Sequence, residues 1–225
     1  MKDAAHDLPY AQGSAALGAL NASKVLRNTY LLLALTILFS AVCAAIGTSL
    51  ELGRGAYWML FIASFASLFW VHKVADSGQG LVAVFVFTGL MGLTLGPILN
   101  AYLALPGGGA LVFQALSGTA LVFFALSGYV LVSRKDFSFM QGFLMTGLVV
   151  MVVAMIANLF LNIPLLNLAF PALVVLLMSG LILFDTSRII HGGETNYIRA
   201  TVSLYLSVYN IFVSLLQLMG GMGED

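Results

Sequence analysis

Charge is scarce in this chain. Charged residues fill 8% of its 225 positions, roughly a third of the share usual in a soluble domain. Nine basic and nine acidic side chains cancel to a formal net charge of zero, which excludes the strongly basic face of a nucleic-acid-binding protein. Cysteine is rarer still. Cys43 stands alone, so no intrachain disulfide can form and no Cys/His cluster offers a metal site. It reads as a small apolar packing residue. The three histidines, His6, His72 and His191, are scattered. There is no G-x-S-x-G, H-E-x-x-H or G-x-x-x-x-G-K run, so no serine hydrolase, zinc protease or phosphate-cradling loop is expected. No cofactor and no enzyme activity is expected either.

What the chain has instead is apolar length. Hydrophobic residues make up 61% and mean hydropathy is +1.04, the composition of a multi-pass membrane protein. Seven spans of about 20 residues would take up roughly 140 positions, leaving short loops and no soluble domain. The spans fall at 29–50, 55–74, 81–103, 110–132, 139–161, 170–190 and 198–218. The expected organisation is a flexible cytoplasmic tail over 1–28, a seven-helix domain over 29–220 and a short tail over 221–225. Pro106-Gly-Gly-Gly109 breaks the chain between the third and fourth spans. Pro171 is expected in the first turn of the sixth, after a turn over 162–167. Gly92 and Gly96 give the third span a small-xxx-small face for close helix approach, and Pro97 after them should kink it.

Basic residues fix an expected orientation. The tail and alternate loops hold Lys2, Lys24, Arg27, Lys73, Arg134, Lys135, Arg188 and Arg199, against Arg54 alone on the other side. That bias predicts a cytoplasmic N-terminus and a periplasmic C-terminus.

Two features could carry function. Asp185 is the one acidic residue placed inside a span. With the sixth helix ending at 190, it lies roughly 7–8 Å inside the boundary. A carboxyl at that depth must face the bundle interior, find a donor or hold its proton. It reads either as an interfacial partner of Arg188 one turn on or as a gate near the cytoplasmic mouth of a proton or cation path. Ser203, Ser207, Asn210, Ser214 and Gln217 recur at intervals of 4, 3, 4 and 3 on the seventh span, one helical stripe that must face protein or water. The stripe reads equally as packing glue or as the wall of a path. One carboxylate among hydroxyls and amides gives calcium a weak, transient contact at most.

Several runs resemble the Bax inhibitor (transmembrane Bax inhibitor motif) family, in particular its bacterial YccA-type members. They are Lys24-Val-Leu-Arg-Asn-Thr-Tyr30, Leu95-Gly-Pro-Ile-Leu-Asn-Ala-Tyr102, Gly118-Thr-Ala-Leu-Val-Phe-Phe124 and Ser133-Arg-Lys-Asp-Phe-Ser138. Leu183-Phe-Asp-Thr-Ser187 and the long run Ile190-His-Gly-Gly-Glu-Thr-Asn-Tyr-Ile-Arg-Ala-Thr-Val-Ser-Leu-Tyr205 complete them. The resemblance implies an all-α fold of seven transmembrane helices, the last one central and wrapped by helices one to three and four to six. It implies a bacterial inner-membrane location and association with the FtsH protease as modulator and slow substrate, in quality control and stress response. Some members act as pH-sensitive calcium leak channels, closed by two carboxylates on the sixth and seventh helices. Asp185 matches the first of these. In Leu204-Tyr-Leu-Ser207, Ser207 stands where the second would be. Without a second carboxylate the like-charge term that raises one pKa is lost, and calcium attraction falls. The expectation is therefore an FtsH modulator first and a calcium or proton leak second.

Overall fold

The computed structural model describes residues 8–50, 53–161 and 163–221. Seven α-helices and one short 3-10 turn account for nearly all of them: α1 (Leu8–Ser49), α2 (Arg54–Val74), α3 (Gly80–Leu103), α4 (Gly108–Ser133), the 3-10 turn Ser138–Met140, α5 (Gln141–Leu161), α6 (Pro164–Ile190) and α7 (Tyr197–Gly221). Each helix holds a stretch long and apolar enough to cross a membrane. Backbone polar groups in hydrocarbon have no water to bond, so helices that satisfy their own N–H and C=O groups are the natural outcome of this composition.

Two boundaries differ from the sequence expectation. The backbone is helical from Leu8, within the segment expected as a flexible tail, so the first helix starts earlier than the expected residue 29; residues 1–7 lie outside the described part. The alanine-rich segment 11–22 supplies the helix propensity. At about 1.5 Å per residue, α1 exceeds the ~30 Å hydrocarbon layer about twofold, with Lys24 and Arg27 in its N-terminal half. The second correction concerns α6, which starts at Pro164, with Pro171 inside it. Proline is well placed at a first position because its missing N–H would bond nothing there. The Ile163 N–H just outside is taken by Asn158 Oδ1 at 2.9 Å. Pro97 likewise sits inside α3, which continues to Leu103. The break at 104–107 follows the Pro-Gly signal, with Gly107 in a left-handed conformation at φ 73°.

Helix α7 is the interior helix. It packs on α1, α3, α4 and α6, while α2 lies against α3 and α5 against α6. The expected wrapping by all six others is thus corrected to four neighbours and two outer helices. Lipid-facing positions are plain on the periphery: Leu31, Leu35, Leu38, Val42 and Ile46 form one exposed ridge of α1, and α5 is the least buried span. In water such a surface would be an aggregation site; in a bilayer it is the solvated face.

Helices α1 and α3 approach backbone to backbone at the predicted glycine face. A Cβ on Gly96 would lie 2.2 Å from the Gly47 carbonyl carbon, and one on Gly92 2.3 Å from the Ser40 carbonyl oxygen. The backbones touch with no side chain between them, so dispersion contacts drive the pairing. Gly96→Val should therefore cost about 1–3 kcal/mol by overpacking. Gly128→Ala, inside α4 where the added Cβ meets nothing within 4 Å, should not destabilise and should gain up to about 1 kcal/mol of helix propensity. Unfolding of both variants in mixed SDS micelles measures the difference.

Candidate functional site

The end of the bundle that carries the basic residues is closed by a hairpin. Helix α6 ends at Ile190, His191 to Asn196 turn the chain, and α7 begins at Tyr197. Gly192 supplies the positive φ the turn needs, at 75°. Asn196 anchors the start of α7: its Oδ1 accepts from the Ile198 N–H at 2.8 Å, a side-chain cap. Its Nδ2 donates to the Ala75 carbonyl at 2.9 Å and to Asp76 Oδ1 at 2.7 Å. Arg199 donates to Asp76 Oδ2 at 3.0 Å. The loop between α2 and α3 is thereby clasped to the α6–α7 hairpin. The Asn196 amide and, after it, the Arg199 guanidinium hold the Asp76 carboxyl below its ordinary value.

Beneath this clasp lies Asp185. It is buried, 7% exposed, and Ser203 Oγ donates to its Oδ2 at 2.5 Å. The expected contact between the α6 carboxyl and the α7 polar edge is present, but through Ser203. Ser207, the position implied by the resemblance, donates to the Ser203 carbonyl at 3.2 Å within its own helix. The alternative pairing with Arg188 is not seen. That side chain turns instead to the Gly193 carbonyl at 3.2 Å and to Glu194 at 3.6 Å, and lies over the Phe184 ring.

A cavity of about 140 Å³ opens onto this group, lined by His72, Asp185, Arg188, Ile189, Glu194, Arg199, Ala200 and Ser203. Glu194 sits within 3.6 Å of Arg188 and 3.7 Å of Arg199. Two carboxyls and two guanidiniums make the lining close to charge-balanced, which gives a divalent cation little attraction. Among the described residues no group of three or more His, Cys, Asp or Glu side chains is placed to hold a metal ion.

The remainder of the Ser/Asn stripe divides. Ser207 and Ser214 are buried. Asn210 is half-buried and donates to its own helix at the Leu206 carbonyl, 2.8 Å away. Gln217 is exposed, a departure from the expected inward stripe. Apart from the Ser203–Asp185 bond, the bonds that tie the body of α7 to its neighbours arise on a different face, Thr201, Tyr205 and Tyr209, spaced by four. Tyr205 shares a 2.6 Å hydroxyl bond with Ser40 of α1 and reaches the Thr88 carbonyl of α3 at 3.4 Å. Tyr209 meets Thr94 of α3 at 3.2 Å, and Thr201 donates to the Thr29 carbonyl of α1 at 3.3 Å. Mid-span tyrosines four apart were the available sequence signal, because a hydroxyl on a large ring reaches past its own helix.

This is a polytopic helical membrane protein built around its C-terminal helix, with one buried carboxyl held by that helix near the charged end. The family model described as "Inhibitor of apoptosis-promoting Bax1" matches residues 22–224, and the chain belongs to that family, the Bax inhibitor family. It is 52% identical over 206 residues to the Escherichia coli protein named "Modulator of FtsH protease YccA", covering 92% of this chain and 94% of that one. An uncharacterised protein of Pseudomonas aeruginosa is 49% identical, covering 96% and 97%. An uncharacterised membrane protein of Vibrio cholerae is 44% identical, covering 92% and 93%.

Two measurements check the geometry. Ser203→Ala strands a buried carboxyl without its donor and should cost about 1–3 kcal/mol. Ser207→Ala loses only a bond to its own helix and should be near neutral; reversible unfolding in mixed micelles compares them. The Asp76 clasp gives a pH prediction. Its carboxyl is depressed in the folded state, so its contribution is complete above the ordinary Asp value of about 3.9 and is lost as pH falls through the lower folded value. The gap in melting temperature between wild type and Asp76→Asn should stay constant from neutral pH down to about 5 and close only in stronger acid.

Proposed function

We propose that this chain is an inner-membrane modulator of the FtsH protease, a slowly processed client that acts in membrane-protein quality control and the stress response, and not an enzyme. One observation carries the reading: 52% identity over nearly the whole length of both chains with the E. coli protein that bears that name. A second relative with the same identity is named an inner membrane protein. We place the N-terminus in the cytoplasm and the C-terminus in the periplasm. Support comes from the placement of basic residues: Lys73, Arg134, Lys135, Arg188 and Arg199 fall at helix ends on one side of the bundle, the α1 stretch that holds Lys24 and Arg27 lies beside Arg134 and His191 on that same side, and Arg54 falls at the other.

In that orientation the first turns of α1 reach beyond the apolar span on the cytoplasmic side. They offer a processive protease a place to start, since unfolding from a terminus meets little packing. Deleting residues 1–20 should leave the protein folded in detergent and abolish its degradation by purified FtsH. Degradation of the truncated chain at the wild-type rate would remove α1 as the handle.

A leak for calcium or protons at Asp185, with Ser203, Ser207, Asn210 and Ser214 along its wall, is the second reading. The burial of Asp185 beside a polar cavity favours it; the charge balance of that cavity and the own-helix bonds of Ser207 and Asn210 weigh against it. Proteoliposome flux decides. Absence of calcium and proton flux at every pH would remove the channel, whereas a leak altered by Asp185→Asn would establish it alongside the modulator role, since a leak protein can also be a protease client.

A further inference from the structure

Away from Asp185, the same end of the bundle holds a larger cavity of about 500 Å³, lined by Ala22, Ser23 and Leu26 of α1, Leu131 and Arg134 at the end of α4, and Ile190 and His191 at the end of α6. Helices α1 and α4 both pack on α6 and meet each other at the Tyr30 and Phe123 rings, and the cavity opens between them beyond that contact. Its size falls in the range of about 300–1,000 Å³ typical of small-ligand sites.

Its chemistry is split. Leu26, Leu131 and Ile190 make an apolar floor. The lip is mainly basic: Arg134 lines it, Lys135 follows, and Arg27 lies one helical turn from Ser23, with Lys24 beside it, against one nearby carboxyl, Asp136, which is bonded to Ser138. Arg134, Arg27 and Lys24 are exposed and make no ion pair with any other described residue. Arg134 also holds the single positive φ among described non-glycine residues, 50°, where it ends α4 with its N–H on the Val130 carbonyl. His191 directs Nδ1 at the Ser187 carbonyl, 2.9 Å away, which makes Nδ1 the donor and leaves Nε2 as the free ring nitrogen. The level within the membrane is marked too. Tyr129, Phe137 and Phe139 cluster at the α4 end, with Lys135 Nζ 5.9 Å from the Tyr129 ring centre, the pattern of a membrane–water boundary.

We infer that this notch binds an anionic phospholipid from the surrounding leaflet, with its headgroup phosphate on Arg134 and the first carbons of an acyl chain on Leu26, Leu131 and Ile190. A guanidinium fork matches phosphate oxygens in two bonds. A soluble phosphate has no use for the apolar floor, and a neutral acyl group has none for the lip. The lipid satisfies both and fits a site that opens at the interface.

The experiment is native mass spectrometry of the full-length protein in neutral detergent, with phosphatidylglycerol and phosphatidylcholine added in equal amounts. Phosphatidylglycerol should be retained preferentially. Arg134→Gln should cut that preference roughly fivefold, the effect of one basic group near a membrane surface. Lys73→Gln removes the same charge from the same end outside the notch and should leave it intact. Leu131→Asp, which spoils the floor, should release the lipid as well. Equal melting temperatures in phosphatidylcholine nanodiscs identify variants that fold normally. Millimolar inorganic phosphate should compete poorly; displacement at that level would assign the site to a soluble anion and overturn the lipid reading. Equal retention of the two lipids by wild type overturns it too, as does an Arg134→Gln loss no larger than that of Lys73→Gln.

Discussion

Hydrocarbon offers no partner to a hydroxyl or an amide, and the architecture follows from that constraint. Helix α7 carries more such groups than any lipid-facing helix could tolerate, so it is enclosed by α1, α3, α4 and α6. Its polar groups are then satisfied in two ways. Ser207 and Asn210 bond their own helix. Thr201, Ser203, Tyr205 and Tyr209 bond neighbours. The second group decides which helices stand where. Transmembrane contacts of this kind are worth only about 0.6 kcal/mol each on average, so several acting from one helix specify its position better than any one of them stabilises it.

Much of this was open to reading before any coordinates. Runs of apolar residues show in the composition whatever the tertiary contacts are, so seven spans and most of their ends were legible. The glycine face at Gly92 and Gly96 was legible because absent side chains have one main use between membrane helices. That Asp185 would lie inside was legible from its cost. The choice between Ser203 and Ser207 was not. Serine can bond an i−4 carbonyl as readily as a neighbouring helix, and only distance shows which it does. The extension of α1 to Leu8 and the interior place of Pro171 escaped for a similar reason. Local signals marked a tail and a helix start, and the propensity of the alanine-rich segment and the better-placed Pro164 overruled them.

Family membership and the site pull on function with unequal strength. Near full-length identity with a protein named as a protease modulator points to regulation. The geometry around Asp185 is compatible with that and adds a physical reason why a leak is the weaker reading: Glu194 is held between Arg188 and Arg199, so the mouth above Asp185 lacks a surplus of negative charge. A single carboxyl bonded by a serine lacks the like-charge repulsion that a second carboxyl would supply.

The contact between α1 and α3 has a bearing on motion. Gly47 and Gly96 meet backbone to backbone, so neither helix can slide along the other without its neighbouring side chains colliding. With α2 packed on α3 and the Asp76 loop tied to the start of α7, the first three helices are joined to one another and to the start of α7. A rearrangement that keeps these contacts must therefore be taken up on the other side of the bundle, by α4, α5 and α6.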